Sequence, residues 1–216
     1  VSGAFLAGDI FNLYVWFEVM LICSVGLFAL GGRPDQLDAT FKYFVLNLFG
    51  TLLLLMAVGM VYAVTGHLNY GAIAQAMPGV PHGVATLVTA GLVLAFLIKA
   101  GAFPMFAWLP ASYHTLPAPV LALFAGLLTK VGVYAVLRTL GDPMASSSQL
   151  LYEALGWIAA ATMLLGVLGA AYHWDMRRIL AFHIISQIGY ILLGIALGSE
   201  AGNAATLFYT LHHIVV

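Results

Sequence analysis

Charge is what this sequence has least of. Its 216 residues include seven Lys or Arg and eight Asp or Glu, 7% in all, against roughly 25% in a soluble domain. A chain with net charge −1 and no basic cluster has no electrostatic footprint for nucleic acid. Cysteine is scarcer still. Cys23 stands alone in an apolar run, which excludes an intramolecular disulfide and a cysteine-ligated cluster and leaves packing as its expected role. The glycine patterns GxGxxG and the P-loop, an HExxH pair and any carboxylate cluster are also missing, so neither a cofactor nor a metal is expected. A haem between His183 and His212 or His213 is the one such alternative, and no second histidine pair or small-residue groove accompanies it. There is no soluble domain, low-complexity tract or short repeat.

What fills the space is apolar. Hydrophobic residues make up 63% of the chain and its mean hydropathy is +1.04, which places it in the bilayer. Runs near 20 residues, the length that crosses the hydrocarbon core as a helix, predict spans at about 10–30, 41–65, 84–107, 117–138, 151–172 and 178–198, with a truncated seventh from about 204. The expected fold is therefore an all-α polytopic membrane protein, a single transmembrane unit over 1–216. Turn chemistry separates the spans at Gly31-Gly32-Arg33-Pro34, Met77-Pro78-Gly79-Val80-Pro81, Leu116-Pro117-Ala118-Pro119, Gly141-Asp142-Pro143 and Gly198-Ser199-Glu200. The chain opens without Met and stops within an apolar segment, so it is expected to be a fragment of a longer protein. Arg33, Lys42, Arg177 and Arg178 share one side of the predicted topology against Arg138 on the other. The excess of positive charge predicts that the first side, together with the WLPASYHTLPAP connection, is cytoplasmic.

Several polar groups stand inside these spans. Lys99 and Lys130 lie deep in LVLAFLIK and VLALFAGLLTK, where an ionised lysine costs roughly 2.5–3.5 kcal/mol on insertion scales. Pro104, five residues after Lys99, cannot donate a helical hydrogen bond to Ala100 and predicts a helix break beside the amine. Glu18 sits about eight residues into the first span, ~12 Å along the helix. It is either a neutral structural carboxyl or the partner of Lys99; burial disfavours both charged forms and pairing favours both, so a movable partner would switch whether the lysine holds its proton. Lys130 has Gly126 and Tyr134 one turn away on either side, where water and a hydrogen-bond chain have access; the alternative, snorkelling to the interface, suits Arg138 better. In the sixth span His183, Ser186, Gln187 and Tyr190 fall at offsets 0, 3, 4 and 7, a polar stripe expected to face inward, as a proton relay or as interhelical packing. Thr206, Tyr209, Thr210 and His213 repeat the pattern beside His212. His67, His82, His114 and His173 fall in predicted loops and are expected to be solvated.

The segments NLYVWFEVML, IKAGAFPMFAWLPASYHTLPAPVLALFAGLLTKVGVY, DMRRILAFHIISQIGYI and FYTLHHIVV resemble, over essentially the whole chain, the proton-conducting antiporter subunits shared by Mrp-type Na⁺/H⁺ antiporters and respiratory complex I. The resemblance implies a fourteen-helix bundle of two inverted repeats, each with a discontinuous helix, of which this chain carries the first repeat and the start of the second. It implies that Glu18, Lys99 and Lys130 are the proton-transfer residues, and that His183, His212 and His213 lie in the family's hydrated axis. It further implies other membrane subunits of a hetero-oligomeric complex as partners, protons and Na⁺ as transported ions, and a prokaryotic cell membrane as the location. The same resemblance leaves open a proton-pumping subunit of a complex I-like quinone oxidoreductase or membrane-bound hydrogenase.

Overall fold

The computed structural model describes residues 1–141 and 149–215, so the predicted turn at Asp142-Pro143 lies outside the described residues. The elements are α1 (Ser2–Leu6), α2 (Ile10–Ala29), α3 (Pro34–Thr65), α4 (Tyr70–Ala76), α5 (His82–Ala100), α6 (Trp108–Ser112), α7 (Ala118–Leu123), α8 (Thr129–Gly141), α9 (Gln149–Tyr172), α10 (Met176–Ala196) and α11 (Glu200–Val215). A π-helical turn, Phe124–Leu128, joins α7 to α8 as one span over Ala118–Gly141. Among the described residues, six segments are long and apolar enough to cross a membrane, each overlapping one of the six predicted spans. Polar ends are closed locally: Asp9 accepts from the Phe11 and Asn12 amides at the start of α2, and Asp175 from Arg177 at the start of α10.

Two spans differ from expectation. α3 begins at Pro34 rather than near 41, because Pro34 takes the first helical position, where its missing N–H costs nothing. The third span, predicted to run to 107, stops at Ala100. Gly101 adopts a left-handed φ of +79° there, which a residue with a Cβ adopts only at a cost. The Gly101 and Ala102 amides then fold back onto the carbonyls of Ile98 (3.2 Å) and Leu97 (3.0 Å), closing the helix before Pro104 is reached. The break spans 101–107. Its exposed backbone is satisfied from outside: Trp108 Nε1 donates to the Ile98 carbonyl at 3.0 Å, and the Phe103 amide donates to Thr162 Oγ1 of α9 at 3.0 Å.

The WLPASYHTLPAP stretch is not a surface connection. Trp108, Leu109, Tyr113 and Leu116 are fully buried, and α6 with the 3₁₀ turn Tyr113–Thr115 forms a short second half of the broken helix. An aromatic cluster holds it: Tyr43 stacks on Phe28 (4.4 Å between centroids) and meets Trp108 edge-on (5.6 Å), and Trp108 meets Tyr113 (5.9 Å). The far end is gripped by side chains of two other helices. Arg33 and Gln36 donate to the Thr115 carbonyl (3.1 and 3.3 Å), and Arg177 reaches the carbonyls of His114 (3.4 Å) and Leu116 (3.5 Å). The turns carrying Arg33 and Arg177 therefore lie at one end of the bundle, as alternating spans require.

Arg138 marks the other end, but it does not simply snorkel. Its guanidinium lies 4.3 Å from the Tyr70 ring and donates to the Ala7 carbonyl, while Tyr134 donates to Phe5 at 2.9 Å; together they close the C-terminal end of α1. Burial holds the Tyr70 phenol well above its usual pKa. Cys23 is exposed on the outer face of α2 rather than packed.

α5 crosses α8 at close range. A Cβ placed on Gly132 would sit 2.5 Å from the Ala100 nitrogen and 2.9 Å from the Phe96 carbonyl. Gly132→Ala is expected to cost about 1–3 kcal/mol, seen as a lower thermal unfolding midpoint in detergent, whereas Gly59→Ala, with nothing within 4 Å, leaves the midpoint unchanged or raises it. Thr162→Val keeps the side-chain shape but orphans the Phe103 amide, and a loss of about 1–3 kcal/mol is expected in the same measurement.

Candidate functional site

Lys99 ends α5 one residue before the break and is 6% exposed. Its Nζ donates to the main-chain carbonyl of Asn47 on α3 at 2.8 Å and lies 5.9 Å from the Phe17 ring centroid. A small cavity of about 20 Å³, lined by Lys99, Asn47, Tyr43, Phe17, Met20 and Leu128 among others, adjoins it. That is room for a single water with polar partners. The expected ion pair is not formed in this structure. Among the described residues the ion pairs are Arg33–Asp35 (3.2 Å) and Lys42–Asp38 (2.5 Å). Glu18 is half-buried on α2, with Lys99 and Tyr14 as electrostatic neighbours.

Lys130 is fully buried, so it does not reach the interface. The π turn immediately before it widens the helix, and the Ala125 carbonyl within that turn accepts from Lys130 Nζ. Beside it the Thr129 hydroxyl is buried without a partner. Tyr134, expected to extend a chain from Lys130, is instead committed to Phe5.

On the far side of the π turn stand α10 and α11. His213 Nδ1 is buried and unpartnered, and Lys130, His183 and His212 are its electrostatic neighbours. The His183 and His213 rings lie 6.5 Å apart. Gln187 Nε2 is 3.2 Å from His183 Nε2, and Tyr209 donates to Gln187 Oε1. Tyr190 and His212 approach Tyr209 at 6.2 and 6.0 Å between centroids. The predicted stripe thus divides. Ser186 is buried against Gly166 of α9, whereas His183 and Tyr190 are exposed, so the face expected to look inward opens toward α11 and a groove of about 540 Å³ that Ala125, Gly126, His183 and His213 help to line. In the second stripe Thr206 donates to the Ile191 carbonyl at 3.3 Å. Of the four loop histidines, His67 and His82 are exposed as expected, whereas His114 and His173 are half-buried. His114 Nδ1 contacts the Pro110 carbonyl at 3.0 Å and His173 stacks on Phe182 at 5.2 Å, and both line an open basin of about 510 Å³ with Asp38, Lys42 and Arg178.

The structure therefore gathers Lys130, His213, His183 and Gln187 into one region and places Glu18, Lys99 and Pro104 around the helix break. Sequence reasoning missed Asn47, the π turn and the grip on residues 114–116. A lone amide in the apolar run LNLFGTLLLL was the available signal for Asn47; nothing local marks a π turn.

A family model described as NADH:quinone oxidoreductase/Mrp antiporter, TM matches residues 7–216. The chain is 42% identical over 217 residues to a Na(+)/H(+) antiporter subunit of Alkalihalophilus pseudofirmus, covering 100% of this chain and 44% of that protein. It is 38% identical to the namesake of that protein in Bacillus subtilis, with the same coverage. Among solved structures it superposes on the Mrp complex from Dietzia sp. DQ12-45-1b with a TM-score of 0.90 at 40% identity, over 99% of this chain and 40% of that one. It also superposes on the membrane-bound sulfane sulfur reductase, an archaeal respiratory membrane complex, with a TM-score of 0.94 at 30% identity, over 99% of this chain and 44% of that one. The chain spans less than half the length of these relatives. By sequence and by architecture alike, it is an integral, multi-pass membrane protein of the NADH:quinone oxidoreductase/Mrp antiporter family.

Proposed function

We propose that this chain belongs to a proton-translocating subunit of a multisubunit Na⁺/H⁺ antiporter in a prokaryotic cell membrane, with other membrane subunits as partners. Protons pass through Lys99 and Lys130, and Glu18 gates the first of them. One observation carries the reading: two lysines are buried in the membrane-spanning region, and each donates to a main-chain carbonyl rather than to a carboxylate. A lysine meant to stay charged for structure is paired, because an unpaired buried charge is costly. An amine held only by a neutral acceptor can gain or lose a proton without breaking an ion pair. Glu18 supplies the opposing influence when it approaches. The one-water cavity beside Lys99 and the unpartnered Thr129 and His213 groups beside Lys130 give the proton places to go on either side.

A second reading shares the path but not the driving force: a membrane subunit of a redox-driven, complex I-like assembly. The superposition on an archaeal respiratory membrane complex supports it. The antiporter reading is favoured by the higher identity to the subunits named as antiporters.

In everted vesicles carrying the full complex, Lys99→Met and Lys130→Met are each expected to lower Na⁺-dependent proton movement by at least about tenfold with the complex assembled, and Glu18→Ala to do the same. Wild-type exchange in both lysine variants would reduce the chain to a scaffold. Proton movement that ignores Na⁺ but follows an electron donor would select the redox-driven reading.

A further inference from the structure

Resting on the antiport reading, we propose that Asn47 and Gly50 of α3 form a main-chain seat for Lys99, the position its amine occupies when it is not with Glu18. The seat is a carbonyl made reachable by a missing side chain. Lys99 leaves α5 in its last turn and crosses to α3, where Nζ meets the Asn47 carbonyl at 2.8 Å. Gly50, three residues on, lies under the lysine stem: a Cβ there would stand 3.6 Å from Lys99 Cε and 2.8 Å from Ile98 Cγ2. A Cβ at 50 would therefore press on Ile98, next to Lys99 at the end of α5, and touch the lysine stem at ordinary contact distance, so that a larger side chain would intrude on the stem.

The surroundings fit a seat rather than a passing contact. The Asn47 side chain is turned away, its Nδ2 donating to the Tyr43 carbonyl at 3.1 Å, so the acceptor is main chain and does not depend on a rotamer. Phe17, the neighbour of Glu18 on α2, presents its ring to the ammonium from the other side. The same residues line the single-water cavity, whose wall includes Leu128 of the π turn that serves Lys130. Lys99 in the seat adjoins a water site that residues of α2, α3 and the π turn line together. The carbonyl can hold the amine in either protonation state, because both states carry an N–H to donate.

The test is made on the complete complex in everted vesicles, reading the maximal rate of Na⁺-dependent proton movement and the Na⁺ concentration for half-maximal rate. Replacing Leu48 by its α-hydroxy analogue turns the Asn47 carbonyl into an ester carbonyl, a weaker acceptor, and removes one helix amide. The same replacement at Leu52, one turn along, removes an amide without touching the seat. The Leu48 ester and Gly50→Leu are expected to lower the maximal rate by about fivefold or more with the half-maximal Na⁺ concentration unchanged. The Leu52 ester stays within about twofold of wild type. Equal losses in the two ester variants, or wild-type rates in the Leu48 ester, overturn the seat. If Lys99→Met abolishes movement while the Leu48 ester does not, the seat fails alone; if wild type shows no Na⁺-dependent movement, the antiport reading fails and the seat with it.

Discussion

A buried amine must give its N–H groups to something, and most of this structure can be traced to how that demand is met without a counter-ion. In water the demand is trivial. In hydrocarbon it is met by backbone, and a helical carbonyl, already holding an intrahelical amide, has only its second lone pair to offer and must be within reach of the amine. The fold supplies acceptors in two ways. For Lys99 it ends a helix within the membrane-spanning region and lets the side chain cross to a neighbouring helix stripped of bulk at Gly50. For Lys130 it widens the lysine's own helix by a π turn and uses the carbonyl at the widened point.

Ending a helix inside the bundle leaves backbone groups unsatisfied, and the third element of the architecture is the set of residues that satisfies them. Trp108, Thr162 and the left-handed Gly101 close the first half; Arg33, Gln36 and Arg177 close the second. Apart from Gly101, these residues come from α3 and the turn before it, α6, α9 and α10. The break is therefore a joint property of four helices, and the close contact of Gly132 on Ala100 fixes α8 against the same point.

Much of this is legible in the sequence because the bilayer imposes a length and an apolar composition on every span. Lys99, Lys130 and Glu18 stand out because ionisable groups inside apolar runs are rare. What cannot be read is register between helices. Pro104 points to a break, yet the chain turns at Gly101, because a left-handed glycine closes a helix with two hydrogen bonds and a proline only withholds one. His183 and Gln187 do share one side of α10, but Ser186 sits at its margin and is taken by α9 through Gly166. Whether Glu18 meets Lys99 depends on how α2, α3 and α5 pack, and the acceptor that holds the amine, a main-chain carbonyl, has no signature in a string of side chains.

The π turn between α7 and α8 also acts as a phase shifter. An additional residue in one helical turn rotates the residues before it by about 100° relative to those after it. Along Ala118–Gly141 the chain thus presents two different faces: the residues after the turn direct Gly132 toward α5, and those before it direct Ala118, Leu121 and Ala122 toward the groove beside α10 and α11. A straight α-helix of the same composition could not serve both neighbours at once. One helix is in effect two interfaces with different phases, and Lys130 sits where the phase changes.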